Sequence, residues 1–174
     1  FSSSRRGEDD WLAETPAHVP HELTTTVTSL RAGAAHDGWQ RTHGLTHART
    51  LDLTLDGRAL TGEELLIALT DRDKATFDAA SNGVGVGWSV RFHLHPEAEP
   101  SLDMGGKAVS IALKSGEVWV FRQDGAAAMM LAPSVQLEHG RPAPRPTQQV
   151  VLSGRAMDYA TRVRWSLEVD PVDI

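Results

Sequence analysis

Histidine is the reactive residue type whose placement in this chain invites a chemical reading. His36, His43 and His47 fall in one short stretch, and His93 and His95 stand two residues apart. Side chains at i and i+2 of a strand share a face, so His93 and His95 can converge on one ligand, as in several metal sites built on β-structure. A zinc site needs three or four ligands, and the further suppliers, His36 or Asp37, are distant residues that spacing alone does not bring to the pair. Two other uses stand beside the metal. Arg91, His93 and His95 can be the polar face of a half-buried strand, or they can line an acidic sugar, since arginine forks a carboxylate and imidazole donates to it. His47 and Arg49 share the parity of Leu51, Leu53 and Leu55, so basic groups replace the apolar face near the start of that strand.

Five tryptophans raise the matter of sugar stacking, because an indole face packs on a pyranose ring as on any apolar plane. Trp88 and Trp165 share parity with apolar neighbours, and Trp119 lies in a run apolar on both faces, so these three read as core. Trp11 and Trp39, in irregular or turn-adjacent segments, are the candidate exposed platforms. The substrate-facing candidates are therefore Trp39, His47, Arg49, Arg91, His93 and His95, with no catalytic and no metal-ligating residue assigned.

Composition narrows the function classes. The chain has 174 residues, enough for one domain with a core, and 40% hydrophobic with 23% charged residues is ordinary globular usage. A net charge of -6, from 23 acidic and 17 basic residues, argues against a nucleic-acid footprint. With no cysteine there is no disulfide, no thiolate nucleophile and no cysteine-ligated zinc. Gly83, Gly85 and Gly87 alternate without the strand, loop and helix context or the Lys-Ser/Thr ending that phosphate binding requires. No apolar run approaches the roughly 18 to 20 residues of a membrane-spanning helix. Neither nucleic acid nor a membrane is expected as a partner, and no cofactor is expected in this chain.

The elements that must position these residues are strands. Residues 1–22 read as an irregular strap, with Pro16 and Pro20 removing backbone donors. Residues 23–174 read as a single β-sandwich domain. Leu23 to Leu30 suits a strand; Leu45 to Asp56 alternates strictly, turns at Asp56-Gly57, and pairs with the run Glu64 to Leu69 as a hairpin. Asp71 to Gly87 loses periodicity and reads as a long surface loop. Trp88 to His95 alternates until Pro96, and Val109 to Leu113, Val118 to Phe121, Ala126 to Leu137, Val150 to Ser153 and Val163 to Val169 complete roughly nine or ten strands. Short strands at this spacing point to an all-β, antiparallel β-sandwich.

Four blocks carry a family resemblance: His36-Asp37-Gly38-Trp39, His47-Ala48-Arg49-Thr50-Leu51, Arg91-Phe92-His93-Leu94-His95-Pro96 and Gly116-Glu117-Val118-Trp119-Val120-Phe121-Arg122. With Gln149-Val150-Val151-Leu152-Ser153-Gly154 they make the chain from Ala35 onward resemble the C-terminal portion of bacterial heparinase II/III-like proteins. The resemblance implies an antiparallel β-sandwich that follows an N-terminal α/α toroid domain in a larger protein, with acidic polysaccharide, a glycosaminoglycan for instance, bound in the cleft between them. Family lyases cleave uronic-acid-containing chains by β-elimination, in which a base takes the proton beside the carboxylate while that carboxylate is neutralised. The toroid is implied to supply asparagine- and tyrosine-type groups. A histidine and zinc ligands are implied around a His-x-His-Ala-Asp-type motif, which this sequence does not match, so zinc belongs to the parent protein if anywhere. The chain alone is expected to be a scaffold and cleft wall without activity, with a stand-alone acidic-carbohydrate-binding module as the alternative. A periplasmic or secreted location follows from the resemblance only.

Overall fold

A computed structural model describes residues 15–140 and 143–170. Its elements run β1 (His21–Thr25), β2 (Ser29–Trp39), α1 (Gln40–His43), β3 (Leu45–Thr54), β4 (Ala59–Ile67), α2 (Asp71–Ser81), β5 (Val86–His93), β6 (Glu99–Asp103), β7 (Ala108–Ala112), β8 (Val118–Gln123), β9 (Ala128–Gln136), β10 (Arg145–Ala156) and β11 (Ala160–Val169). An eight-stranded sheet in the order β1-β2-β3-β4-β11-β8-β7-β6 faces a three-stranded sheet in the order β5-β10-β9, all pairs antiparallel. The all-β sandwich expected from alternation is what forms.

The dry core lies where both sheets overlap. Val109 and Ile111 from β7, Phe121 from β8 and Val163 and Trp165 from β11 meet Val150 and Leu152 of β10. Phe92 of β5 packs its ring 4.8 Å from Trp165 and 4.9 Å from Phe121, in tilted to edge-on arrangements that suit aromatic quadrupoles. The smaller sheet does not reach the far end of the larger one. Leu23 of β1 lies in the same cross-strand row as Trp165, through Ala32, Leu51 and Gly62, yet is 78% exposed. A bare apolar face therefore remains over β1 and β2.

Several expectations need correction. The segment from Asp71 is a helix, not a loop, and only residues 82–85 separate it from β5. Its apolar stripe is a single large residue, the buried Phe77, which is why hydrophobic periodicity does not reveal it. What fixes the helix is a capping box. Thr70 accepts from the Asp73 amide and Asp73 accepts from the Thr70 amide, while Asp71 and Asp73 sit at the positive end of the dipole. Phe77 then packs with Leu45, Ala68 and Ala156 to plug one end of the sandwich. Gly44 closes α1 at φ 66°, and a Cβ there would stand 2.0 Å from the Asp73 carbonyl oxygen, so only glycine lets the two helices approach.

Leu23 to Leu30 is likewise not one strand but the end of β1, a turn at 26–28 held by the Thr26 hydroxyl, and the start of β2. Trp39, expected in an irregular or turn-adjacent segment, ends β2 where the chain turns into α1. The described residues hold eleven strands, not nine or ten. Trp165 is buried as expected, whereas Trp88 and Trp119 are half-buried at the margin of the core, and Trp11 lies outside the described residues.

Candidate functional site

Where the overlap of the sheets ends, the inward face of the larger sheet changes from leucine to ionised and imidazole groups. On β3, Leu51 is followed toward the strand's start by Arg49 and His47. On β4, Leu60 and Gly62 are followed by Glu64, and β2 contributes His36 opposite His47. Glu64 is 4% exposed and would be costly to bury alone. It is compensated by three side chains from two strands: Arg49 Nε of β3 donates to Oε1 at 2.7 Å, Trp165 Nε1 of β11 donates to Oε1 at 3.2 Å, and His47 Nε2 of β3 lies 2.7 Å from Oε2. The indole reaches it because Gly62 has no side chain; a Cβ there would fall 2.2 Å from the Trp165 ring.

The remaining nitrogen of His47, Nδ1, lies 3.1 Å from Nε2 of the buried His36. His36 Nδ1 accepts the Gly38 backbone N–H at 3.3 Å. Burial first, and the neighbouring His47 next, push His36 below the ordinary imidazole range, while Asp37 pulls the other way.

These groups open onto a cavity of about 610 Å³ that runs along the free edge of β5. Five of the six candidates read from the sequence line it: Trp39, His47, Arg49, Arg91 and His93. Trp39 stands edge-on to His43 at 5.8 Å. Arg49 lies 5.9 Å over the Phe92 ring, a cation–π contact that holds its guanidinium at the cavity floor. Arg91 is exposed and has no ion-pair partner among the described residues. His93 Nδ1 is 2.6 Å from the Ser134 hydroxyl. His95 is the exception, since it lies past the end of β5 and its Nδ1 accepts the Glu97 amide instead.

His93 and His95 therefore do not converge. The sequence offers His36 only as a distant metal ligand and Glu64 not at all, although a readable signal existed for Glu64: a glutamate at the inward parity of β4, opposite an inward arginine at the same level of β3.

The zinc that the family resemblance implies for a parent protein does not fit the residues present. Both nitrogens of His47 are engaged, and the buried carboxylate beside it, Glu64, already holds a guanidinium. No group of three or more histidine and acidic side chains among the described residues is arranged to hold a metal ion.

Comparison with known proteins places this geometry in context. Residues 1–166 match the family model described as heparinase II/III-like, C-terminal. The FtsZ-localized protein C of Caulobacter vibrioides is 35% identical over 158 residues, covering 90% of this chain and 26% of that protein. Heparan sulfate lyase HepC of Pedobacter heparinus superposes with a TM-score of 0.65 at 9% identity, over 87% of this chain and 21% of that one. A heparinase III crystal structure gives 0.62 at 12%, over 86% and 21%. At such identities the likeness is one of fold. The chain spans about a quarter of the curated relative it matches.

Proposed function

Because the chain belongs to the heparinase II/III-like C-terminal domain family, we propose that it is the C-terminal β-sandwich of a longer protein, forming one wall of a cleft for an acidic polysaccharide without catalysing a reaction by itself. The observation that carries this is the cavity along β5, lined by Arg91, Arg49 and four histidines, in which the one buried carboxylate, Glu64, is already bound by Arg49 and His47. An added carboxylate or sulfate meets an unpaired guanidinium at Arg91, and Trp39 offers an aromatic edge at the rim for a sugar ring.

Elimination on a uronate needs a base with a lone pair aimed at the carbon acid. His47 has none to offer, since both ring nitrogens are hydrogen-bonded within the chain. Its neighbourhood suits charge neutralisation, and the base belongs to the remainder of the parent. The bare leucines of β1 and β2 are where that remainder, an N-terminal domain, would pack. No resident metal is required, and dialysis against a chelator should leave binding and melting unchanged.

Calorimetric titration with heparan-type and alginate-type oligosaccharides should give saturable heat, weakened about tenfold by Arg91→Ala, or ~1.4 kcal/mol. Absence of saturable heat with both would overturn the cleft-wall assignment. A rise in unsaturated-uronate absorbance with this chain alone would overturn its catalytic silence.

A second possibility concerns the parent. The relative at 35% identity is named an FtsZ-localized protein, which favours a longer protein positioned with FtsZ over one secreted for polymer degradation. A fluorescent fusion of the whole protein should then coincide with FtsZ at midcell, and uniform export from the cell would remove this reading.

A further inference from the structure

The hydrogen bonds around His36 run in one direction. Its Nδ1 accepts from Gly38, so Nδ1 carries the lone pair and the ring proton sits on Nε2. That proton is donated to His47 Nδ1, which places the His47 proton on Nε2, where it meets Glu64. The chain Gly38 to His36 to His47 to Glu64 holds one proton per imidazole and closes on a carboxylate. A further proton has no place in it. On either Nδ1 it would set one N–H against another, and the bond that Nδ1 accepts must break.

One of those bonds spans a β-bulge. Between the pairs His36–His47 and Trp39–Leu45, β2 passes two residues while β3 passes one, and the Gly38 amide that binds His36 belongs to the extra length. The next residue is Trp39, at the rim of the cavity.

We propose that His36 is a positioning residue for Trp39, and that adding one proton to the His36–His47 pair releases the bulge and weakens saccharide binding at the cavity. This rests on the acidic-polysaccharide reading for its ligand, but not for its structural step. The groups that face the pair are Asp37 beside it on β2, Arg49 on β3, Glu64 on β4, the Trp165 N–H on β11, His43 on α1, and Arg91 and His93 across the cavity on β5. A general gain of positive charge at the cavity on acidification would by simple electrostatics strengthen the grip on a polyanion. The brace has the opposite sign, which makes it separable from general charge effects.

The test is a pH series from 8 to 5 on the ligand-free chain, following the Gly38 amide, the Trp39 indole N–H and the imidazole nitrogens by nitrogen-15 NMR. His36 and His47 should both carry their protons on Nε2 at pH 8, and the Gly38 and Trp39 signals should move together with the titration of the pair. Affinity for a heparan-type hexasaccharide should fall about threefold to tenfold between pH 7.5 and 5.5, the scale of one lost hydrogen bond. His36→Gln, which cannot take a proton, should flatten both profiles. Gly38 and Trp39 signals that ignore pH, or affinity that rises on acidification in the unsubstituted chain, would overturn the proposal. If the hexasaccharide binds at no pH, the polysaccharide reading falls, while the ligand-free spectra still decide for or against the brace; the unsubstituted chain makes that decision even where a variant fails to fold.

Discussion

The two halves of the inner sheet face solve burial in opposite ways. Over β7, β8 and β11 the smaller sheet seals an apolar layer in which Val109, Val150 and Leu152 are wholly buried. Over β2, β3 and β4, on the same face of the same sheet, Glu64 and His36 are buried almost as deeply, and every polar atom described there is matched by another. The first half gains from area removed from water. The second gains little net stability, because desolvation of its charges offsets their attraction. What it gains is fixed geometry beside a cavity, and a dry core gives no such handle on a polar ligand.

Perturbing each half should therefore leave distinct signatures. The largest effect is expected in the dry half. Leu152→Ala should cost about 3 to 4 kcal/mol in urea denaturation, with the same cost at pH 8 and pH 6. A loss below about 1 kcal/mol would mean that the overlap is not the stabilising core.

In the wet half, Arg49→Met leaves the Glu64 carboxylate buried with one cation fewer and should cost about 3 kcal/mol or slightly less. Joining it to Glu64→Leu should cost less than the two single changes added together, since the uncompensated charge is gone. Simple additivity in that double-mutant cycle would show that the cluster is not one unit.

Stability should also depend on pH through His36. Its folded value lies below the ordinary imidazole value, so the unfolded chain takes the proton first. The stabilisation is complete above about pH 6.5 and declines as pH falls below it. His36→Gln should reduce that slope, and an unchanged slope in the variant would assign it to other groups. The smallest effect, about 1 kcal/mol, is expected for Thr70→Ala, which removes the cap of α2 and should leave saccharide affinity at the cavity unaltered. A change in affinity would mean that the α2 plug and the cavity are coupled.

Much of this was legible in the chain. The parity of Leu51 and Leu53 predicted an inward apolar face, which does not extend to Leu55, exposed past the end of β3, and its replacement by Arg49 and His47 predicted that the face becomes basic near the start of β3. The alternation from Trp88 to His95 located β5, although the strand ends at His93, because a half-buried strand writes its two faces at period two. The helix α2 was hidden because its burial rests on one residue, Phe77, while its capping box, Thr70 with Asp73, could have been read. The division of 23–30 into two strands was hidden because the threonines suit a turn as well as a strand.

By itself the sequence determined the class of fold, the polarity of each strand face and the residue types available for an anionic ligand, since these follow from local alternation and side-chain chemistry. Only the tertiary structure decided which of them meet. Arg91 and His93 face Trp39 and His47 across a cavity because the smaller sheet stops short at β5, and His95 does not join them because its strand ends first. Likewise Glu64 became the centre of the site through Gly62, whose missing side chain admits an indole from β11. Contacts between strands far apart in sequence depend on how two sheets overlap, and local periodicity carries no record of that.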